Sequence, residues 1–228
     1  MSKYHDIIQG SDEWFEKRIG LITSSHFTEI MVNSIDRKGE FNDLAKWGVG
    51  AKDYAARLAL ERKTGKRPDS FQNDWMQRGN ELEPEAREKY ECETFQLVKN
   101  GGLFIDGDFA TSPDGLISFE KQLLKEGDDE DSLVRGGIEI KCVKYNTQFA
   151  VMEAEYYDVK YKWQMQGQML IAKLDFVDFV SYCPEHPKET ELYIYRVKQN
   201  NIQSEQITKR LEHFKGLIAT YEKMIGGK

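Results

Sequence analysis

Ser112-Pro113-Asp114-Gly115 and, further along, Gly137-Ile138-Glu139-Ile140-Lys141 decide how this chain is read. The second stretch alternates apolar and charged residues with the period of a β-strand. Glu139 and Lys141 therefore point one way, while Ile138, Ile140 and Cys142 point into a core. Asp114 stands at the tip of an earlier strand. Two hard carboxylates suit a divalent ion, and an ammonium beside them suits orienting or helping to deprotonate a water next to a phosphate. Each piece also has a plainer reading. Asp-Gly is a common hairpin-turn pair, and Glu139 with Lys141 would equally form the solvated face of an edge strand.

Upstream, Ser11-Asp12-Glu13 has the form of a helix start, a hydroxyl cap followed by acids, and Gly20 closes that helix. Thr23-Ser24 predicts a second cap for a helix reaching about Val32, and Asn33 to Lys38 predicts a loop. Tyr54, Ala55, Leu58 and Ala59 recur at helical spacing over 51–63, with Gly65 as the stop. Residues 73–95 predict another helix, broken or restarted near Asn80 because Pro84 lies inside it. Short β-like runs follow at 95–98, 102–105, 109–111 and 116–119. An acidic loop over 120–135 precedes the strand 138–143, and a helix over 161–174 carries Gln164 and Gln166. Strands at 176–183 and 191–197 lead to an amphipathic helix over 202–224 with Ile207, Leu211, Phe214, Leu217 and Ile218 along one side. The expected fold class is α/β, a central mixed β-sheet flanked by helices with an N-terminal helical extension. Nothing divides residues 1–228, so one domain is expected.

Composition narrows the function. No apolar run is long enough to cross a bilayer and the N-terminus lacks the apolar core of a signal peptide, so no membrane association and a cytoplasmic location are expected. The three cysteines, Cys92, Cys142 and Cys183, are odd in number and form no CxxC pair, against a zinc ribbon, a disulfide framework or a four-cysteine iron–sulfur site. The four histidines are scattered, against zinc catalysis, and the absence of a Walker A loop argues against ATP use. A formal net charge of −7 argues against nucleic-acid binding. Its distribution softens that: five acids sit in the single stretch Glu126 to Asp131, whereas Arg57, Arg62, Lys63, Lys66 and Arg67 cluster elsewhere.

The chain resembles the PD-(D/E)xK nuclease superfamily and, within it, the lambda-type phage recombination exonucleases, also called YqaJ-like viral recombinases. Five collinear blocks carry the likeness: Trp14 to Ser25, Gly79-Asn80-Glu81-Leu82-Glu83, Ser112 to Leu116, Glu139-Ile140-Lys141-Cys142 and Gln164-Met165-Gln166, together spanning roughly residues 11–183. The resemblance implies a restriction-endonuclease-like core. It implies a Mg2+ site, with Mn2+ as substitute, of Asp114, Glu139, the Ile140 carbonyl and Glu83, the last in competition with Glu81 and Glu85. Lys141 would be the catalytic ammonium, and Gln166 would hold the attacking water or a phosphate oxygen; a plain polar helix face shared with Gln164 and Gln168 is its alternative.

In the resembling enzymes the N-terminal block grips a 5′-terminal phosphate. That implies Arg18 as a bidentate clamp with Ser25 and Ser112 as hydroxyl donors, against a surface salt bridge and simple caps. Trp14 reads as core. Met76 or Trp75 would wedge between bases, or else pack in the core, and Arg37 and Lys38 would reach the DNA backbone. The implied activity is an ATP-independent 5′→3′ exonuclease on double-stranded DNA ends, preferably 5′-phosphorylated, that leaves 3′ overhangs for a single-strand annealing partner. A ring-shaped homotrimer is implied with it. The alternatives are an endonuclease or single-strand nuclease on the same core, or a catalytically idle DNA-binding scaffold.

Overall fold

The computed structural model describes residues 2–33, 46–68, 74–118 and 135–226, the side chains of 74–76 and 118 apart. Arg37, Lys38 and the acidic stretch Glu126 to Asp131 lie outside the described residues, as do the side chains of Trp75 and Met76.

The Glu139–Lys141 segment belongs to β7 (Arg135–Cys142), the middle of five strands. The sheet runs β3 (Val98–Asn100), β6 (Gly115–Ser118), β7, β8 (Phe176–Tyr182), β9 (Leu192–Lys198). β7 pairs antiparallel with β6 and parallel with β8. A parallel neighbour requires a crossover, supplied by α5 (Tyr145–Glu153) and α6 (Lys162–Ala172). β8 reads Phe-Val-Asp-Phe-Val-Ser-Tyr and is buried along its whole length, as a strand covered on both faces must be. On one face Ala86 and Tyr90 of α4 (Asp74–Thr94) pack against Ile117, Ile138, Ile140 and Val180. On the other, Met165 and Met169 of α6 pack against Val177 and Phe179. A strand in this position is no solvated edge, and Glu139 is only 1% exposed.

Asp114-Gly115 is not a hairpin turn either. Gly115 opens β6, paired with Ile138 on one side and Asn100 on the other, and a Cβ there would stand 2.2 Å from Val98 Cγ1. The glycine lets three strands close up immediately beside Asp114.

A second sheet was not evident from sequence periodicity. It runs β1 (Lys3–His5), β4 (Leu103–Asp106), β5 (Phe109–Thr111), β2 (Ile22–Thr23), so the N-terminal region contributes strands as well as helices. Strands of two and three residues are too short to display a period. α1 (Asp12–Lys17) starts as expected, with the Ser11 side chain accepting from Trp14 N. The next helix does not start on a Thr23 cap. A 3-10 turn, Ser24–His26, leads into α2 (Phe27–Met31), and the Thr23 hydroxyl is committed to Tyr54 and Ser25. α3 (Val49–Thr64) ends on Gly65 in the left-handed conformation, and α7 (Asn201–Ile225) closes the chain.

The break expected near Asn80 is absent, and α4 runs through Pro84. Proline removes one helical hydrogen bond and crowds one carbonyl. Tertiary anchors outweigh that cost: Arg78 to Glu185 at 2.7 Å, Lys89 to Glu191 at 2.5 Å and Tyr90 Oη to Asp178 Oδ2 at 2.7 Å.

α2, α3, α6 and α7 share a core that includes Phe27, Ile30, Leu58, Trp163, Ile207 and Phe214. Arg210, fully buried, donates through Nε to Ile30 O at 2.9 Å and through Nη2 to Val32 O at 3.2 Å. A cation on the last carbonyls of α2 satisfies groups the helix leaves open and meets its negative end. α6 approaches this layer at Gly167, where a Cβ would lie 2.5 Å from the Phe27 ring and 3.1 Å from Ser24 Cβ. Gly167→Ala should therefore destabilise the protein by about 1–3 kcal/mol through overpacking, read as a lowered urea midpoint with an unchanged slope.

Candidate active site

β7 carries Glu139 and Lys141 on its α6-facing side, and Asp114 reaches them from the start of β6. Two hydrogen bonds fix Asp114: its N–H donates to Ile138 O at 3.0 Å and its Oδ2 accepts Ile140 N at 2.6 Å. Its carbonyl accepts Arg87 Nη2 from α4. Glu139 is enclosed by donors: Lys141 Nζ and Gln164 Nε2 on Oε1, the latter at 2.5 Å, and Gln168 Nε2 on Oε2. Glu83 lines the same cleft from α4, with Arg87 Nη2 3.4 Å from its Oε1. Its competitors face elsewhere, Glu81 towards Gln77 and Glu85 towards Lys89.

Gln166 does not reach the cleft. Its Nε2 donates to Lys198 O and its Oε1 accepts Asn200 N, both at 2.9 Å, tying α6 to the junction of β9 and α7. On a helix, residues 164 and 168 share a face, and 166 lies nearly opposite. Gln164 and Gln168 are the glutamines at Glu139, and Gln166, expected to hold the attacking water or a phosphate oxygen, lies away from the cleft.

Burial, and then the neighbouring Glu139, raise the Asp114 carboxyl well above its ordinary range, with Lys141 pulling it back. Burial also raises Glu83, against Arg87 and Lys141. For Lys141 burial works to lower the ammonium, but Glu139 and Asp114 outweigh it and hold it above the ordinary lysine value. Buried together, Asp114 and Glu139 face one lysine, while the more exposed Glu83 is paired with Arg87.

Among the described residues no three histidine, cysteine or acid side chains are gathered closely enough to hold an ion by themselves. The donor chemistry nevertheless fits a magnesium-type ion. Asp114 and Glu139 are buried oxygen donors, the first raised well above its ordinary range, Ile140 and Glu83 line the adjoining space, and magnesium retains several waters and needs few protein ligands.

A cleft of about 230 Å³ joins Asp114, Glu139, Lys141 and Gln164 to Arg18, Ser25 and Ser112. The 3-10 turn presents Ser25 at the surface, while Ser24 Oγ is hydrogen-bonded to Thr111 Oγ1 at 2.6 Å. Trp14 is core, as expected, and also part of the site: its Nε1 donates to Ser112 Oγ at 2.8 Å, and the Arg18 guanidinium lies 3.7 Å from the centre of its ring. Among the described residues no carboxylate lies within salt-bridge distance of the Arg18 guanidinium. A wider space of about 560 Å³ continues from Asp114 and Lys141 past Glu83 to Lys144, Lys160 and Tyr161. Gln9, which lines both spaces, and Tyr161, Lys144 and Lys160 had no sequence signal; single polar or aromatic residues outside a motif carry none.

The YqaJ-like viral recombinase domain model matches residues 13–175. No protein of curated function matches the sequence. Among solved structures, LHK-Exo in complex with dAMP is 30% identical, with 94% of this chain and 96% of that one covered and a TM-score of 0.74. LHK-Exo, an alkaline exonuclease from Laribacter hongkongensis, also matches at 28% identity over 95% of this chain and 98% of that one, with a TM-score of 0.71. A phage-related exonuclease from Haemophilus somnus 129PT shares the fold at 16% identity, 90% and 95% coverage and a TM-score of 0.62. The architecture is thus the restriction-endonuclease-like α/β fold, with a second sheet added.

The crowding of acids has a measurable consequence. A carboxyl raised in the folded state contributes stability that is present below its ordinary value of 3.8 and lost as pH rises through the raised one. In chelator, Asp114→Asn, which keeps an acceptor for Ile140 N, should melt at or above wild type. Its advantage should grow from pH 5 to pH 8, by about 2–4 °C for each kcal/mol relieved. A variant that melts lower at pH 8, read by calorimetry, would contradict this account of the site.

Proposed function

We propose that this chain, which belongs to the YqaJ-like viral recombinase family, is a magnesium-dependent exonuclease that degrades duplex DNA from 5′ ends and leaves 3′ overhangs. One observation carries the reading: a single cleft brings Arg18, Ser25 and Ser112 together with the buried acids Asp114 and Glu139. A site that grips a strand's terminal phosphate and cuts beside it acts on ends. The dAMP bound to LHK-Exo supports a mononucleotide product here as well.

Asp114, Glu139, the Ile140 carbonyl and Glu83 would hold Mg2+, with Mn2+ able to replace it. Bound there, the ion supplies Lewis-acid charge on the scissile phosphate and a water of lowered pKa. Lys141, held charged by Glu139, orients water and offsets charge on the phosphate rather than accepting a proton. Gln164 and Gln168 fix the Glu139 carboxylate with neutral amides that do not compete for metal. Arg18 keeps its charge in the working pH range although burial lowers it to about 10. Water adds at phosphorus, the P–O3′ bond breaks, and O3′ leaves as a hydroxyl. The shortened strand then carries a new 5′-phosphate for the clamp.

The family resemblance extends the proposal to a homotrimeric ring around DNA, a single-strand annealing partner and action in the cytoplasm. No helix among the described residues is long and apolar enough to cross a membrane.

The deciding experiment compares linear duplexes with 5′-phosphate or 5′-hydroxyl ends and a covalently closed circle, with and without Mg2+. The circle should remain intact, and the phosphorylated end should be preferred about tenfold to a hundredfold, as a charged hydrogen-bonding clamp allows. Arg18→Ala should erase that preference by slowing only the phosphorylated substrate. Cutting of the circle would make the enzyme an endonuclease.

Side-chain roles separate in the same assay. Asp114→Asn and Glu139→Gln should abolish cleavage in folded protein, and Lys141→Ala should cut the rate about 10²-fold or more yet still bind ends in calcium. Gln164→Ala should slow turnover in folded protein with only a small drop in melting temperature, because Lys141 still donates to Glu139 Oε1. Gln166→Ala should lower the melting temperature while activity per folded molecule survives; the opposite pattern would restore Gln166 to the catalytic set.

A further inference from the structure

The basic cluster at 57–67 plays no part in the proposed reaction. Its position gives it one. A second cavity, of about 90 Å³, shares Arg18 and Thr23 with the catalytic cleft but contains none of its carboxylates. That is far below the ~300 Å³ of an ordinary small-molecule pocket, and it suits one small anion. Three guanidiniums line it, from Arg18 beyond α1, Arg57 on α3 and Arg67 just past α3. The acid in the lining, Glu61, already accepts Gly20 N on Oε2 at 2.8 Å.

The cations are held in place by neighbours. Arg57 Nη2 donates to His26 Nε2 at 2.8 Å, and His26 Nδ1 donates to Glu29 Oε2 at 2.5 Å. Arg57 stands over the Tyr54 ring and Arg67 over the Phe15 ring. Arg57 Nε, shielded from solvent, makes no hydrogen bond, and Glu61 Oε1 is 3.7 Å away. Burial lowers Arg18, Tyr54 and, more weakly, Glu61 oppose that, and Arg67 and Arg57 lower it further. Like charges gathered around a small cavity, one with an open donor, are what an anion relieves.

We propose that this cavity is a second phosphate subsite, which takes the β-phosphate of a strand beginning in a 5′-di- or triphosphate while the α-phosphate occupies the Arg18–Ser25–Ser112 clamp. The proposal rests on the exonuclease reading. Hydrolysis falls on the same internal bond: water adds at the first internucleotide phosphorus, O3′ leaves as a hydroxyl, and the polyphosphate is untouched. The products are a nucleoside 5′-triphosphate and a strand ending in 5′-monophosphate.

The test uses duplexes that differ only in a triphosphate, monophosphate or hydroxyl 5′ end, radiolabelled in the first nucleotide, at fixed salt. Wild type should release the nucleoside triphosphate at a rate within about fivefold of monophosphate release, well above the hydroxyl end. Arg57→Met, which keeps an apolar stem over Tyr54, and separately Arg67→Ala, should each slow the triphosphate end about tenfold, as loss of one charged phosphate contact predicts. Both should leave the monophosphate end within about twofold of wild type. A triphosphate end as slow as the hydroxyl end, or equal slowing of both phosphorylated ends in both variants, would overturn the proposal. So would inhibition by free pyrophosphate with no triphosphate release, since the cavity would then bind anions from solution only. No release from the monophosphate duplex would instead refute the exonuclease reading itself.

Discussion

Asp114 and Glu139 are buried beside one another, and the arrangement of the surrounding elements answers to that. Carboxylates out of water repel each other and lose hydration, a combination that destabilises a fold unless each oxygen finds a donor. Here the donors come from three directions: the Ile140 amide along β7, Lys141 from the same strand face, and Gln164 and Gln168 from α6. Compensation is incomplete, since Asp114 is still raised well above its ordinary range. A buried acid left so raised is the usual signature of a functional site, and on the proposed reading a cation relieves it.

α6 is the element through which the site and the clamp are held together. Its 164 and 168 side chains grip Glu139, its 166 side chain is bound to the β9–α7 junction, and its Gly167 lets Phe27 and Ser24 approach. The turn that presents Ser25 therefore rests on the same helix that fixes the Glu139 carboxylate. Neutral amides suit this duty, because a cationic replacement would neutralise the charge that a divalent ion requires.

What could be read from sequence follows the range of the forces involved. Strand alternation is local, so the opposite facing of Ile138 and Glu139 was legible, and so was the Ser11 cap. The choice among Gln164, Gln166 and Gln168 was not, because it depends on the rotation of α6 relative to β7, a matter of tertiary packing. Pro84 misled for a related reason: the local penalty was real, but ion pairs to Glu185 and Glu191, a hundred residues on, decide whether α4 continues. The basic cluster around Arg57 was visible as composition. That it borders Arg18, about forty residues earlier, becomes visible only once α3 is folded against α1 and β2.

The spacing between Ser112 and Asp114 is set covalently. Ser112 and Asp114 are two residues apart on one connection between β5 and β6, so their Cα atoms lie within about 7 Å of each other. Ser112 is held by the Trp14 indole, which also carries the Arg18 guanidinium on its face, while Asp114 is held by Ile138 and Ile140. On the proposed reading, a terminal phosphate bound at Ser112 and a scissile phosphate at Asp114 are separated by a length of backbone that cannot stretch. The cut then falls at the first internucleotide bond whatever the base sequence. On that reading no base-reading side chain is needed to set the register.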